Sequence, residues 1–366
     1  MRKPVAYLVA ILVGAIVWFF FQNFKIEGTD SLRVIAKNED LDSLPFGDSN
    51  EESKSRFSFP KISLGRSTPN ASAAPTFNER SVVAKTISSQ PQAPKQNPDT
   101  IRVASFHLQH FGSKAADPEL TMNAVARVVR LFDVIALQGI QTGGEGSIAD
   151  LSLKAGPQYA YLLASPASIA QQDELYAFIY NKNTIVADRG EGLYTLGDPD
   201  NLLRRAPLIG WFKAKKPNEN DAFTFTLVNV NTERRHTVQE LNVLDNVMHE
   251  VRQDWRDEDD VIMLGCFQRP ETQLEGLGQV RGLVPAIRSV PTNLRGDAQT
   301  ENILFRSLET DEFTGRSGVF QFLRAYNLSM DQASQVSEYL PVWAEFSIYE
   351  GGQQGRVAKR ETEVSR

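Results

Sequence analysis

The chain has 366 residues, 41% hydrophobic and 23% charged, with a formal net charge of −6, so it can bury a large core and is not a wholly disordered polymer. The charge is uneven: residues 101–350 carry 23 Lys and Arg against 33 Asp and Glu, a balance of −10, which argues against sequence-blind nucleic-acid binding because that rests on neutralising phosphates. A single cysteine, Cys266, excludes an internal disulfide, a Cys-only zinc site and a Cys-x-x-Cys redox motif.

Arg2 and Lys3 precede an uncharged apolar run at 5–21. At about 1.5 Å per residue the run covers about 26 Å, close to the hydrocarbon thickness of a bilayer. Gln22, Asn23, Phe24 and Lys25 follow it, without the small-x-small site at which a signal peptide is cleaved. The expectation for 1–26 is a retained, single-pass transmembrane helix. Arg2 and Lys3 favour a cytoplasmic start, placing the bulk of the chain outside the cytoplasm. Residues 27–99 hold 12 Ser and 7 Pro with no sustained period. They read as a disordered, flexible linker, with one short strand near 32–36. The tail at 351–366 is polar and reads as disordered.

Between 100 and 350 the chain reads as one globular domain. Apolar runs predict strands at 101–108, 133–138, 159–164, 175–180, 208–213, 223–231, 261–266, 302–305 and 340–348. Leu120, Val125, Val128 and Val129 predict a helix over 119–132. Leu241, Leu244, Val247, Met248 and Val251 predict another over 238–255. Many short strands with few helices point to an α/β (α+β) domain of two packed sheets with helices outside, rather than one parallel sheet. Several strands end on polar groups: His107, Gln138-Gly139, Asn231, Cys266-Phe267-Gln268, and Ser337-Glu338-Tyr339 ahead of the last strand. Strand ends hold loops rigidly, so functional groups collect there. The acidic run 257–260 reads as a solvated loop before a buried strand. The lysines at 213–216 read as a surface patch, and His110, His236 and His249 as surface or packing residues.

Eight segments then stand in order: IRVASFHLQHF (101–111), DVIALQGI (133–140), YAFIY (176–180), RAP (205–207), FTLVNVNT (225–232), DVIMLGCFQ (260–268), TENILF (300–305) and SEYLPVWAEF (337–346). Together they resemble the endonuclease/exonuclease/phosphatase superfamily, the DNase I-like fold. The resemblance implies a four-layer α/β sandwich of two packed mixed β-sheets flanked by helices. It also implies a chemistry of phosphoester hydrolysis. Carboxylates hold Mg²⁺ against the phosphate, and a His–Asp pair activates water.

The sequence departs from that pattern at the working positions. His107 stands where the family has Asn, Gly139 where it has a metal-binding Glu, and Asn231 where it has His. Cys266 and Gln268 replace Asp and Asn. Glu301 replaces the Asp before Asn302, and Glu338 and Tyr339 replace an Asp-His pair. Tyr176, Arg205 and Asn302 match the family. Gly139 offers no ligand, a thiol is a poor magnesium donor, and an unperturbed phenol with a pKa near 10 is no base at neutrality. The expectation is a pseudoenzyme without its Mg²⁺, serving as a binding or scaffold module. The alternative is an active metal-dependent phosphodiesterase or nuclease with a rearranged site. His107, Cys266 and Glu338, with Glu301 or Gln268 beside them, are candidate zinc ligands. A membrane is the expected partner of the amino-terminal helix, and nucleic acid is not expected. Any protein or small-ligand partner stays unnamed.

Overall fold

Strands such as VIALQGI and VIMLGC are apolar on both faces, so they are stable only where both faces are covered. The computed structural model describes residues 97–112, 117–164, 174–198, 200–256 and 258–352, and the backbone of three short strands before them. The first two, β1 (Phe24–Glu27) and β2 (Arg33–Ala36), pair antiparallel with Phe24 opposite Ala36, within a separate unit spanning residues 1–76. The apolar run at 5–21 and the tail from 353 lie outside the described residues. Among the described residues no helix is long and apolar enough to cross a membrane.

In the second unit, β3 (Lys85–Ile87) precedes β4 (Thr100–Phe111), α1 (Pro118–Val129), β5 (Val134–Gln141), α2 (Glu145–Ala155), β6 (Tyr159–Leu163), β7 (Glu174–Asn181), β8 (Ile185–Ala187) and β9 (Leu193–Thr195). It continues with β10 (Leu208–Ala214), β11 (Thr224–Asn231), α3 (Thr237–Leu241), α4 (Leu244–Arg252), β12 (Val261–Cys266), β13 (Leu283–Pro285), β14 (Glu301–Arg306), β15 (Phe313–Val319), α5 (Phe322–Ala325), α6 (Met330–Val336) and β16 (Val342–Ser347). One sheet has the order β3-β15-β16-β4-β5-β7-β6, the other β13-β14-β12-β11-β10-β8 with β9 also on β10. Both are mixed: β3/β15, β4/β5 and β11/β12 run parallel and the remaining pairs antiparallel. Lys85–Ile87, inside the segment read as linker, is an edge strand against Arg316, Ser317 and Gly318.

The sheets pack face to face, β4 and β5 against β11, β12 and β14. Helices α1, α2 and α6 lie by the first sheet, and α3 and α4 cover the second. Local sequence sets the helix ends. Asp117 caps α1 by accepting from the Leu120 amide at 3.0 Å, with Pro118 opening the helix. Ser329 and Gln332 form a reciprocal capping box on α6. The single helix expected over 238–255 is two. The chain breaks after Leu241, where the Asn242 side chain accepts from the Gly276 amide at 2.8 Å.

Phe212, Phe225, Phe223, Phe346, Phe305 and Phe313 form a chain of ring contacts through the inter-sheet core. Each buried ring contributes roughly 2–3 kcal/mol by removal from water. Towards the functional end a polar knot replaces the rings. Gln138 Nε2 donates to Asn229 Oδ1 at 2.7 Å and to Ser105 Oγ at 3.0 Å, while Asn229 Nδ2 donates to the carbonyls of Leu137 and Ala177. All three side chains are fully buried and satisfied, and such a network fixes the alignment of one sheet on the other. Gly265 is required where β12 passes β11: a Cβ there would sit 1.9 Å from the Val230 carbonyl oxygen, at φ +143°.

Candidate functional site

The site forms at one end of the two sheets, where β4, β5, β11 and β12 finish and β14 begins. Two irregularities open it. The β4/β5 register breaks between His107 and Phe111, and the β5/β7 register breaks between Leu137 and Ile140. Gly139 sits in the second break with φ +74°. A Cβ on Gly139 would lie 2.7 Å from both His107 Cδ2 and the Gln109 amide nitrogen. The His107 ring therefore occupies the space that a side chain at 139 would need.

That ring is held in place. Tyr339 stacks on it, with centroids 4.5 Å apart and planes inclined by 11°. Ser337 Oγ donates to the His107 carbonyl at 2.6 Å and accepts from the Tyr339 amide at 2.9 Å, fastening the loop before β16 to β4. Cys266 ends β12 directly opposite Glu301 of β14. Gln268, at φ +55°, turns back so that its Nε2 donates to Cys266 Sγ at 3.0 Å. Glu301 is fully buried, and its Oε2 accepts from Thr292 Oγ1 at 2.8 Å and Thr300 Oγ1 at 2.7 Å. One donor atom each from His107, Cys266 and Glu301 lie within 4.8 Å of one another.

Burial dominates the electrostatics here. It pushes the Cys266 thiol well above its ordinary range, with the Glu301 charge adding to the effect. It raises the Glu301 carboxyl to about 7 against the pull of the two threonine hydroxyls. It also lifts the Tyr339 phenol to about 12. At neutral pH the thiol and the phenol keep their protons.

A second group lies alongside. Arg205 Nε meets Glu174 Oε2 at 3.2 Å, and Asn231 Nδ2 donates to the same oxygen at 2.8 Å. Tyr176 is buried next to them, its phenol pushed up by burial. Glu174 is a site residue that the sequence reading missed. It precedes Tyr176 by two positions in one strand, so period-two alternation puts both on the same face, a signal that was available. Thr292 and Thr300 were missed too, because nothing in a loop threonine announces which carboxylate it will hold.

The structure gathers His107, Gly139, Cys266, Gln268, Glu301 and Tyr339, with Asn231 beside Cys266 across β11/β12. It does not bring Glu338 in. That side chain is exposed, while its backbone carbonyl accepts from the Leu294 amide at 2.9 Å. Tyr339 takes the inward position because neighbouring residues in extended chain point to opposite sides. Glu301 is therefore the carboxylate of the cluster. Asn302 turns away as well: its side chain bonds both backbone groups of Ile287. The acidic run is not simply a solvated loop, since Glu258 and Asp260 are buried.

Magnesium asks for near-octahedral oxygen coordination. An imidazole, a thiol, one carboxylate already shared between two hydroxyls and a neighbouring one, Glu174, engaged by Arg205 and Asn231 do not fit that demand, and the ring of His107 blocks the route by which position 139 could add a further acid.

No protein-family model matches the chain. Over 271 residues it is 26% identical to deoxyribonuclease gamma of Rattus norvegicus, covering 66% of this chain and 83% of that protein. Over 262 residues it is 22% identical to deoxyribonuclease-1 of Bos taurus, covering 66% and 91%. Among solved structures, an endonuclease/exonuclease/phosphatase protein of Bacteroides vulgatus matches with a TM-score of 0.50 at 12% identity, over 68% of this chain and 99% of that one, a likeness of fold. With deoxyribonuclease relatives of 22–26% identity along about two thirds of its length and two packed mixed sheets, the chain is similar in sequence to DNase I-like proteins and in fold to the endonuclease/exonuclease/phosphatase superfamily.

Proposed function

We propose that this domain binds rather than hydrolyses: a DNase I-like scaffold without metal-dependent phosphodiesterase activity, held at a membrane by the apolar run at 5–21 with the domain on the extracytoplasmic side. The observation that carries the reading is the His107 ring seated in the space beside Gly139. Phosphoester hydrolysis needs a cation to neutralise the phosphate and a base to take a proton from water. The first lacks a fitting oxygen set. For the second, a phenol lifted to about 12 stays protonated, Asn231 is a neutral amide committed to Glu174, and Glu301, though raised to about 7, is fully buried with one oxygen already held by two hydroxyls. The excess of acidic residues over 101–350 disfavours a nucleic-acid partner. That leaves a protein or a small ligand as the bound species.

The test is turnover of an activated phosphodiester and of plasmid DNA by the purified full chain in Mg²⁺, Mn²⁺ or Zn²⁺, with bovine deoxyribonuclease-1 as the positive control. Rates indistinguishable from the protein-free blank are expected throughout. Metal-dependent turnover that disappears in Glu301→Gln would establish an active enzyme with a rearranged site instead.

A further inference from the structure

We infer that His107, Cys266 and Glu301 form a zinc site. The cluster joins a nitrogen, a sulfur and an oxygen donor, the set that a borderline-soft divalent ion accepts and that magnesium refuses. All three residues are buried, Cys266 and Glu301 fully. Atoms spaced no more than 4.8 Å apart leave a central point within about 2.8 Å of each. Zinc bonds of about 2.0–2.3 Å then need a contraction of at most about 0.5–0.8 Å.

The surroundings match the way metal ligands are oriented by their neighbours. Glu301 Oε2 is fixed by two hydroxyls, and the carboxylate's remaining side-chain partner is the Cys266 thiol, itself one of the three proposed ligands. The amide of Gln268 points at the sulfur, a contact that stabilises a thiolate more than a thiol. Stacking on Tyr339 sets the plane of the imidazole. Charge balances as well: a neutral imidazole, a thiolate and a carboxylate together neutralise a dication, which is the condition for leaving it in a dry site. Binding forms Zn–N, Zn–S and Zn–O bonds. It releases the thiol proton to solvent, and the carboxyl proton where one is held; no electron is transferred. The inference stands apart from whether the domain hydrolyses anything, since a zinc ion held this way serves folding as readily as chemistry.

The full chain, expressed without a histidine tag, should carry close to one zinc per molecule by elemental analysis. Chelator-stripped protein should melt at a lower temperature and recover on addition of zinc chloride alone. Cobalt chloride in place of zinc should give the near-ultraviolet thiolate-to-metal band, and Cys266→Ser should abolish it. Should that variant not fold, Thr292→Val provides the second test. It leaves all three ligands in place and should weaken zinc binding by about 10- to 100-fold. Folded wild-type protein with less than about a tenth of an equivalent of zinc, no melting shift with zinc and no cobalt–thiolate band would overturn the inference. So would a band that persists in Cys266→Ser. Zinc bound at full occupancy together with metal-dependent turnover would uphold the site while refuting the non-hydrolytic reading.

Discussion

Gly139→Glu, which would return an acid to the position where DNase I-like proteins are expected to carry a metal-binding glutamate, should destabilise the domain by about 3 kcal/mol or more and confer no magnesium-dependent hydrolysis. The backbone at 139 has φ +74°, where a side chain costs roughly 1–2 kcal/mol by contact of its Cβ with the neighbouring carbonyl. To that is added a Cβ placed 2.7 Å from the Gln109 amide nitrogen and 2.7 Å from His107 Cδ2. The ring can move only by breaking its stack on Tyr339, and the Gln109 nitrogen is backbone, in the irregular stretch of β4 between His107 and Phe111. A denaturant titration should show the midpoint falling with little change in slope. The double variant His107→Asn, Gly139→Glu removes the ring contact but not the backbone one, and should recover part of the loss. A single Gly139→Glu protein of undiminished stability would show that the space is not filled as described. Acquired magnesium-dependent turnover would show that one acid suffices to revive the chemistry. The expected outcome explains why such a change is hard to reverse: residues 107 and 139 are coupled by packing, so neither step back is favourable alone.

The frame was legible because its signals are local. The run 261–266 is apolar throughout and is the strand Val261–Cys266 to the residue; 208–213 and 159–164 differ from the observed strands by one residue each. The strand Phe313–Val319 was not legible, because FTGRSGV alternates small and polar residues at a position where its partners supply the apolar contact. Helix α2 was missed for the same reason, with only Ile148, Leu151, Ser152 and Ala155 buried along it. The site was half legible. Strand ends and motif order located His107, Cys266 and Tyr339. The choice between Glu338 and Glu301 was made by chain direction at Tyr339 and by two hydroxyls far from Cys266 in sequence, which no spacing rule encodes. The buried side chains of Glu258 and Asp260 were likewise hidden inside a run whose composition suggests solvent.

Asp260, together with Glu312 and in the same direction as Glu301, shapes the domain's response to pH. Stability is expected to fall by about 2–3 kcal/mol between pH 5 and pH 9, and Asp260→Asn to remove much of that fall. Asp260 and Glu312 are buried at the start of β12 and β15, with Glu258 and Glu350 adjoining. Burial first, then the charge of Glu312, pushes Asp260 up to about 10. Burial likewise carries Glu312 up to about 7. In the unfolded chain both acids ionise near pH 4. Above that pH the folded state keeps protons that the unfolded state has released, so the slope of unfolding free energy against pH is negative. The stability is fully present below about pH 4 and is lost as pH rises through 7 towards 10, the reverse of an acid held by a salt bridge. Water reaching the pair limits the cost to well under the full shift at about 1.4 kcal/mol per unit. Asparagine matches the protonated acid in shape and can donate to Glu312, so Asp260→Asn should be nearly neutral at pH 5 and stabilise the domain by about 1–2 kcal/mol at pH 8. Urea titrations of both proteins at pH 5, 7 and 9 measure this directly. An Asp260→Asn protein that keeps the parent's pH slope would mean that the carboxyl is already ionised in the folded state and that its burial is relieved by something other than a proton.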